Sequence, residues 1–142
     1  MIDVPRDDLV LMLETGYIYL AMGKFVQARE VFEGISALAP KHEVPVVAQG
    51  LVMFAQKKFL PAIRLLKEAV GLNPQSAFAN AHLGEAYLFS GKKEEARKFL
   101  EKASNLEPSG KAGEFARGLK QLMEKGFDPI KLKITSPKKK AS

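Results

Sequence analysis

Three X-Pro pairs punctuate the 142-residue chain at one fixed interval: Ala39-Pro40, Asn73-Pro74 and Glu107-Pro108 stand 34 residues apart. Three glycines keep the same step (Gly16, Gly50, Gly84). So do three alanines (Ala28, Ala62, Ala96) and three bulky residues (Phe32, Leu66, Leu100). Self-similarity at a period of about 20–50 residues marks a stacked-repeat architecture, in which each unit buries its apolar face only against its neighbours. No compositional feature narrows the fold as far.

Within each period the apolar residues recur at helical spacing, which predicts two antiparallel helices per repeat. Proline closes the second helix, because it has no N–H to donate and clashes with the preceding turn. Glycine in Met22-Gly23-Lys24 and Ser90-Gly91-Lys92 suits the left-handed conformation that ends the first. The glycine of each repeat is expected where the first helix meets the small alanine of the second, with Tyr19, Met53 or Tyr87 filling the space beside that contact. Helices are predicted over 6–22, 25–38, 43–56, 59–72, 76–89, 92–105 and 110–125.

These residues resemble the tetratricopeptide-repeat (TPR) signature W-x2-L-G-x2-Y…A-x3-F…P. The third repeat matches at Leu83, Gly84, Tyr87, Ala96, Leu100 and Pro108, and the first at Gly16, Tyr19, Ala28, Phe32 and Pro40. The second keeps Gly50, Ala62, Leu66 and Pro74, with Gln49 and Met53 in place of Leu and Tyr. Met12, Val46 and Asn80 replace the early tryptophan. The resemblance implies an all-α, right-handed helical solenoid. Its three repeats would span about 9–42, 43–76 and 77–110, and a capping helix 110–125, within a domain over 1–126. In that last helix Phe115, Leu119, Leu122 and Met123 share one side, suited to cover an apolar face otherwise open to water. Gly118 falls 34 residues after Gly84. Residues 127–142 read as a flexible, Lys-rich tail.

The resemblance also implies where function sits. In this family four positions of each first helix line the concave groove. Here they are Val10, Leu13, Tyr17 and Leu20, then Val44, Val47, Leu51 and Phe54, then Phe78, Ala81, Glu85 and Leu88. All but Glu85 are apolar or aromatic. Large exposed apolar patches on a monomer usually mark a partner site, so the groove is expected to take an amphipathic helix or hydrophobic strand of another protein. The competing reading is that these side chains pack between helices. A carboxylate clamp for chaperone tails, as in some family members, would need cations and asparagines where this chain has Leu13, Tyr17, Ala48, Phe78 and His82.

A three-repeat chain with an apolar groove is similar to the small TPR chaperones of bacterial type III secretion systems. That resemblance implies a client which polymerises through an apolar segment: a needle subunit, favoured by length and repeat number, or a translocator subunit. A second small chaperone, or a homodimer shielding the groove, fits the same logic. The alternative is a TPR scaffold subunit of a larger secretion or pilus assembly.

Charge and chemistry narrow the rest. The net charge is +6, but the last twelve residues hold five lysines (131, 133, 138, 139, 140) and no acid, leaving 17 basic against 16 acidic residues elsewhere. So even a balance is no footprint for a phosphate backbone, and nucleic acid is not expected as a partner. The tail is read as a solubilising end. Cysteine is absent, which excludes thiolate sites and disulfides. No apolar run approaches the ~18 residues a bilayer needs, and the start of the chain does not resemble a secretory signal, so a cytoplasmic location is expected. His42 is read as a solvated loop residue. His82 and Glu85 share a helix face but supply too few ligands for a metal. No phosphate-binding loop, nucleophile elbow or metalloprotease motif occurs, so neither catalysis, a cofactor nor a small-molecule substrate is expected.

Overall fold

The computed structural model describes residues 4–134, which form eight helices and no strand. Three helix pairs follow one another: α1 (Arg6–Ala21) with α2 (Phe25–Leu38), α3 (Glu43–Ala55) with α4 (Phe59–Leu72), and α5 (Ala77–Phe89) with α6 (Lys93–Leu106). Then come α7 (Lys111–Glu124) and a short α8 (Pro129–Ile134). The seven helices read from periodicity lie within a residue of where they were expected. The segment read as a tail from 127 onward contains α8, and residues 135–142 lie outside the described residues.

Stacking gives the chain its curvature. α1, α3, α5 and α7 touch in succession, whereas α2, α4 and α6 never touch one another. The first helices therefore lie on the inside of the bend. The core lies between the layers in three clusters along the stack, around Phe32 and Ile35, around Leu66 and Leu83, and around Leu100.

Each glycine of the 34-residue pattern opens space chiefly for a bulky partner, and at Gly50 the expected alanine, Ala62, also lies beside it. A Cβ on Gly50 or Gly84 would stand 2.9 Å from Leu66 Cγ and 2.7 Å from Leu100 Cγ. On Gly16 it would collide with the Phe32 ring. The bulky residue sixteen places on thus folds across the first helix, and glycine lets the backbones come close enough to bury it. The alanines, all fully buried, floor the same contact.

Every first helix ends in the same way. Lys24 N–H donates to Tyr19 C=O and Gly23 N–H to Leu20 C=O, a Schellman motif. The pattern recurs at Lys57/Lys58, Gly91/Lys92 and Gly126/Phe127. The left-handed residue is Gly23 (φ 74°), Lys57 (φ 63°), Gly91 (φ 87°) or Gly126 (φ 96°). Lysine at the second position carries a Cβ penalty of roughly 1–2 kcal/mol that glycine avoids, partly offset by glycine's greater freedom when unfolded. Lys57→Gly should therefore stabilise the protein by about 0.5–1 kcal/mol, read as a higher midpoint in urea. A lowered midpoint would mean that the Lys57 side chain makes a contact worth more than its backbone strain.

The C-terminal helices differ from the simple cap. α7 docks on α5 and α6 through Gly113 and Ala116, both buried, with Leu119 and Met123 half-buried behind them. Leu122, expected on the same covering face, is exposed, and Phe115 is exposed on one side while its ring meets His82 on the other. Gly118 has open space where its counterparts meet the next helix, because no full-length second helix follows α7. The chain turns back instead. Phe127 packs on Phe89 (6.3 Å between ring centroids), and Asp128 pairs with Lys93 at 3.1 Å. That hydrogen bond from Lys93 holds the Asp128 carboxyl below the usual carboxylate range.

Candidate functional groove

The positions expected to line a groove all lie on α1, α3 and α5, but not at one depth. Val10 is exposed. Leu13, Tyr17, Leu20, Val44, Leu51, Phe54, Phe78 and Glu85 are half-buried. Val47, Ala81 and Leu88 are fully buried and belong to the core. The difference follows from packing. The contacts between successive inner helices grow from the α1–α3 pair to the α5–α7 pair, so equivalent positions sink deeper toward the C-terminal end. Partial burial also raises the pKa of the Tyr17 phenol, by desolvation.

Splaying of α1 from α3 leaves a cavity of about 200 Å³ between their N-terminal halves. Leu9, Val10 and Leu13 form one wall, Val44 and Pro45 the other, and Ile35 of α2 with the following cap residue Ala39 the floor. Arg6 and His42 stand at its polar side. The imidazole of His42, exposed as expected, accepts a hydrogen bond from Val44 N–H at 3.4 Å and so caps α3.

The charged member of the groove set already has a hydrogen-bond partner within the chain. The imidazole Nδ1 of His82 donates to Glu85 Oε1 at 2.9 Å. The ring sits between Phe78 (5.0 Å, edge-on) and Phe115 (5.2 Å). Periodicity had placed His82 and Glu85 on one face, but not Phe115, which arrives from α7. At the other end of the same helices an aromatic cluster links the repeats. Phe54 packs on Phe59 and Phe89 at 5.3 and 5.1 Å, and Phe89 continues to Phe127. Phe89 lies one residue past the last groove position, and its counterpart in the second repeat is Ala55. No periodic signal could have singled it out. Among the described residues no cluster of three or more His, Cys, Asp or Glu could hold a metal ion. Nor is any helix long and apolar enough to cross a membrane.

A curved stack of helix hairpins with an apolar inner face defines a helical-repeat solenoid. Two family models of the tetratricopeptide repeat match it, over residues 53–116 and 11–42, together about two thirds of the chain. The chain belongs to the tetratricopeptide-repeat family. It is similar in fold to the type III secretion translocator chaperone SycD of Yersinia enterocolitica: TM-score 0.73, 19% identity, covering 85% of this chain and 91% of that one. PcrH from Pseudomonas aeruginosa gives 0.72 at 17% identity, covering 86% and 93%. PcrH has also been solved with the chaperone binding region of PopB. The first TPR domain of human RPAP3 gives 0.69 at 27% identity, covering 84% and 97%. The first TPR of Spaghetti (RPAP3), 27% identical with TM-score 0.69, has been solved bound to the HSP90 peptide SRMEEVD. Among curated sequences, a probable UDP-N-acetylglucosamine–peptide N-acetylglucosaminyltransferase SPINDLY of Solanum lycopersicum is 29% identical over 92 residues. That match covers 65% of this chain but only 10% of the relative's length.

Proposed function

We propose that this protein binds an apolar or amphipathic segment of another polypeptide in its groove and keeps that segment from self-assembly, as a type III secretion chaperone does. The observation that carries the reading is the half-buried set Leu13, Tyr17, Leu20, Leu51, Phe54 and Phe78 on the inner helices, of which Leu13 lines the α1–α3 cavity. These side chains are neither sunk in the core nor free in water. A set of that kind suits anchor residues spaced along one face of a helix or strand. The cavity has room for one large side chain.

Two observations shape the client. The one carboxylate of the groove set is already paired with His82, so an apolar client face meets no stranded charge there. The acidic SRMEEVD peptide on RPAP3 represents a different chemistry, and the positions that would grip such a tail are Leu13, Tyr17, Ala48, Phe78 and His82 here. The similar solved structures include translocator chaperones, which favours as client the apolar segment of an exported, translocator-like subunit over a needle subunit. The protein would act in the cytoplasm, before export. A homodimer or a second small chaperone would shield the groove until a client arrives.

Light scattering of a polymerising client tests this. Scattering should fall in proportion to added protein and vanish near equimolar ratio, with no response to ATP, because the sequence has no phosphate-binding loop. Suppression far below stoichiometry, or dependence on nucleotide, would remove the passive-mask mechanism and favour the scaffold reading.

A further inference from the structure

The groove is not the only surface with a pattern. The turns that join the two helices of each repeat all lie along one edge of the solenoid, and the turn after α7 returns to that edge. The Lys93–Asp128 pair and the place of Ile130 beside Gly91 bring the turn after α7 against that of the third repeat. The edge carries Lys24, Lys57, Lys58, Lys92, Lys93 and Lys125, all exposed. Its acids are Glu94, Glu95, Glu124 and Asp128, and Lys93 holds the last of these. In the first two repeats no acid stands in the turn or the first helical turn after it. The opposite edge is balanced, with Arg6, Lys41 and Lys111 against Asp7, Asp8, Glu43 and Glu107.

Three of these lysines repeat at 34 residues and occupy the N-caps of α2, α4 and α6: Lys24, Lys58 and Lys92. None makes a side-chain cap hydrogen bond, and among the described residues none pairs with a carboxylate. Stability alone would choose Ser, Thr, Asp or Asn there, and the positive end of a helix dipole disfavours a cation. A local rule broken three times at one periodic position points to a use outside the fold.

Apolar side chains interleave with the lysines. Met22 is 59%, Val26 62% and Leu60 68% exposed, and Ile130 of α8 is 40% exposed. Val26 and Leu60 are equivalent positions, each two residues after a cap lysine; the third-repeat counterpart is Glu94. Compact ammonium charges beside protruding aliphatic groups suit an anionic interface with an apolar layer beneath it. Nucleic acid would not engage the aliphatic groups, and it is more often read by the planar fork of arginine. From this juxtaposition we infer that the turn edge docks the protein on an anionic phospholipid surface, leaving the groove free. The inference does not depend on what the groove binds.

Sedimentation of the full chain with vesicles tests it. The protein should pellet with phosphatidylcholine–phosphatidylserine vesicles, remain in solution with phosphatidylcholine alone, and be released by raised salt. Replacing the cap lysines (Lys24→Gln, Lys58→Gln, Lys92→Gln) should weaken partitioning about fivefold per lysine. Unchanged circular dichroism melting would show that these exposed changes leave the fold intact. Met22→Ser with Leu60→Ser should weaken vesicle binding while leaving binding to soluble polyglutamate unchanged. Three results would overturn the proposal: no preference for anionic vesicles, polyglutamate binding with no response of vesicle binding to the Met22/Leu60 variant, which would indicate an acidic macromolecule instead, or full loss of vesicle binding on changing only Lys138, Lys139 and Lys140 to Gln.

Discussion

Truncating Phe32 to alanine should cost about 3–5 kcal/mol, the range for removing a buried aromatic side chain, and so threaten the first repeat. Phe32 is fully buried, lies 5.1 Å from the Tyr17 ring centroid, and fills the space that Gly16 leaves open. Gly16→Ala alone should also destabilise, because its methyl would be driven into the Phe32 ring. The two changes together should cost clearly less than their sum, since alanine at 32 removes the obstacle that alanine at 16 meets. Urea denaturation of the two single variants and the double variant measures this coupling. Additive losses would mean that Gly16 and Phe32 do not share the contact described. Each repeat leans on its neighbour, so the single Phe32 variant should also broaden the transition as α1 and α2 detach before the rest.

Placing a charge in the groove should have the largest effect on binding. Leu51 is half-buried on α3, packed against core residues yet open on its inner side. Leu51→Asp should reduce client affinity by about 30-fold or more, the scale of an interface hot spot, because the carboxylate would face an apolar partner without a mate. The loss of stability should be smaller, since the new side chain can tilt toward solvent. Titration calorimetry with the client segment, beside a thermal melt, separates the two. A variant that unfolds outright would assign Leu51 to the core. A variant that folds and binds normally would take this face out of the client site.

A third replacement checks the repeat register itself. Ala62 is fully buried beside Gly50, where an added Cβ would stand 2.9 Å from Leu66 Cγ and 3.5 Å from Ala62 O. Ala62→Phe should overpack this junction and cost about 1–3 kcal/mol. An unchanged melting temperature would contradict the packing described for the middle repeat.

Much of the fold could be read from residues in order. The 34-residue step and the X-Pro pairs located the helices closely, because propensity, capping and chain reversal are local properties. Even Lys57, the turn residue that departs from glycine, stands at the place that Gly23 and Gly91 predict. The groove was legible as a set of positions but not as a surface. Position five of each repeat gave Leu13, Val47 and Ala81, which look equivalent in sequence. Leu13 lines a cavity, whereas Val47 and Ala81 are sealed in the core. The gap between α1 and α3 and the closure at α5 and α7 decide that outcome, and both depend on how several side chains fit together at once.

The sequence alone determined the class of architecture and the number of repeats, since these follow from spacing and from which residue types are present. Only the tertiary structure decided that the glycines accommodate Phe32, Leu66 and Leu100. It also decided that Phe115 closes over His82, that the chain turns back through Phe127 and Asp128, and that lysines from separate repeats share one edge. Those are relations between residues far apart in the chain. A helix fixes what lies three or four places away, but the angle at which one repeat packs on the next fixes everything beyond it, and that angle is the joint result of every side chain in the junction.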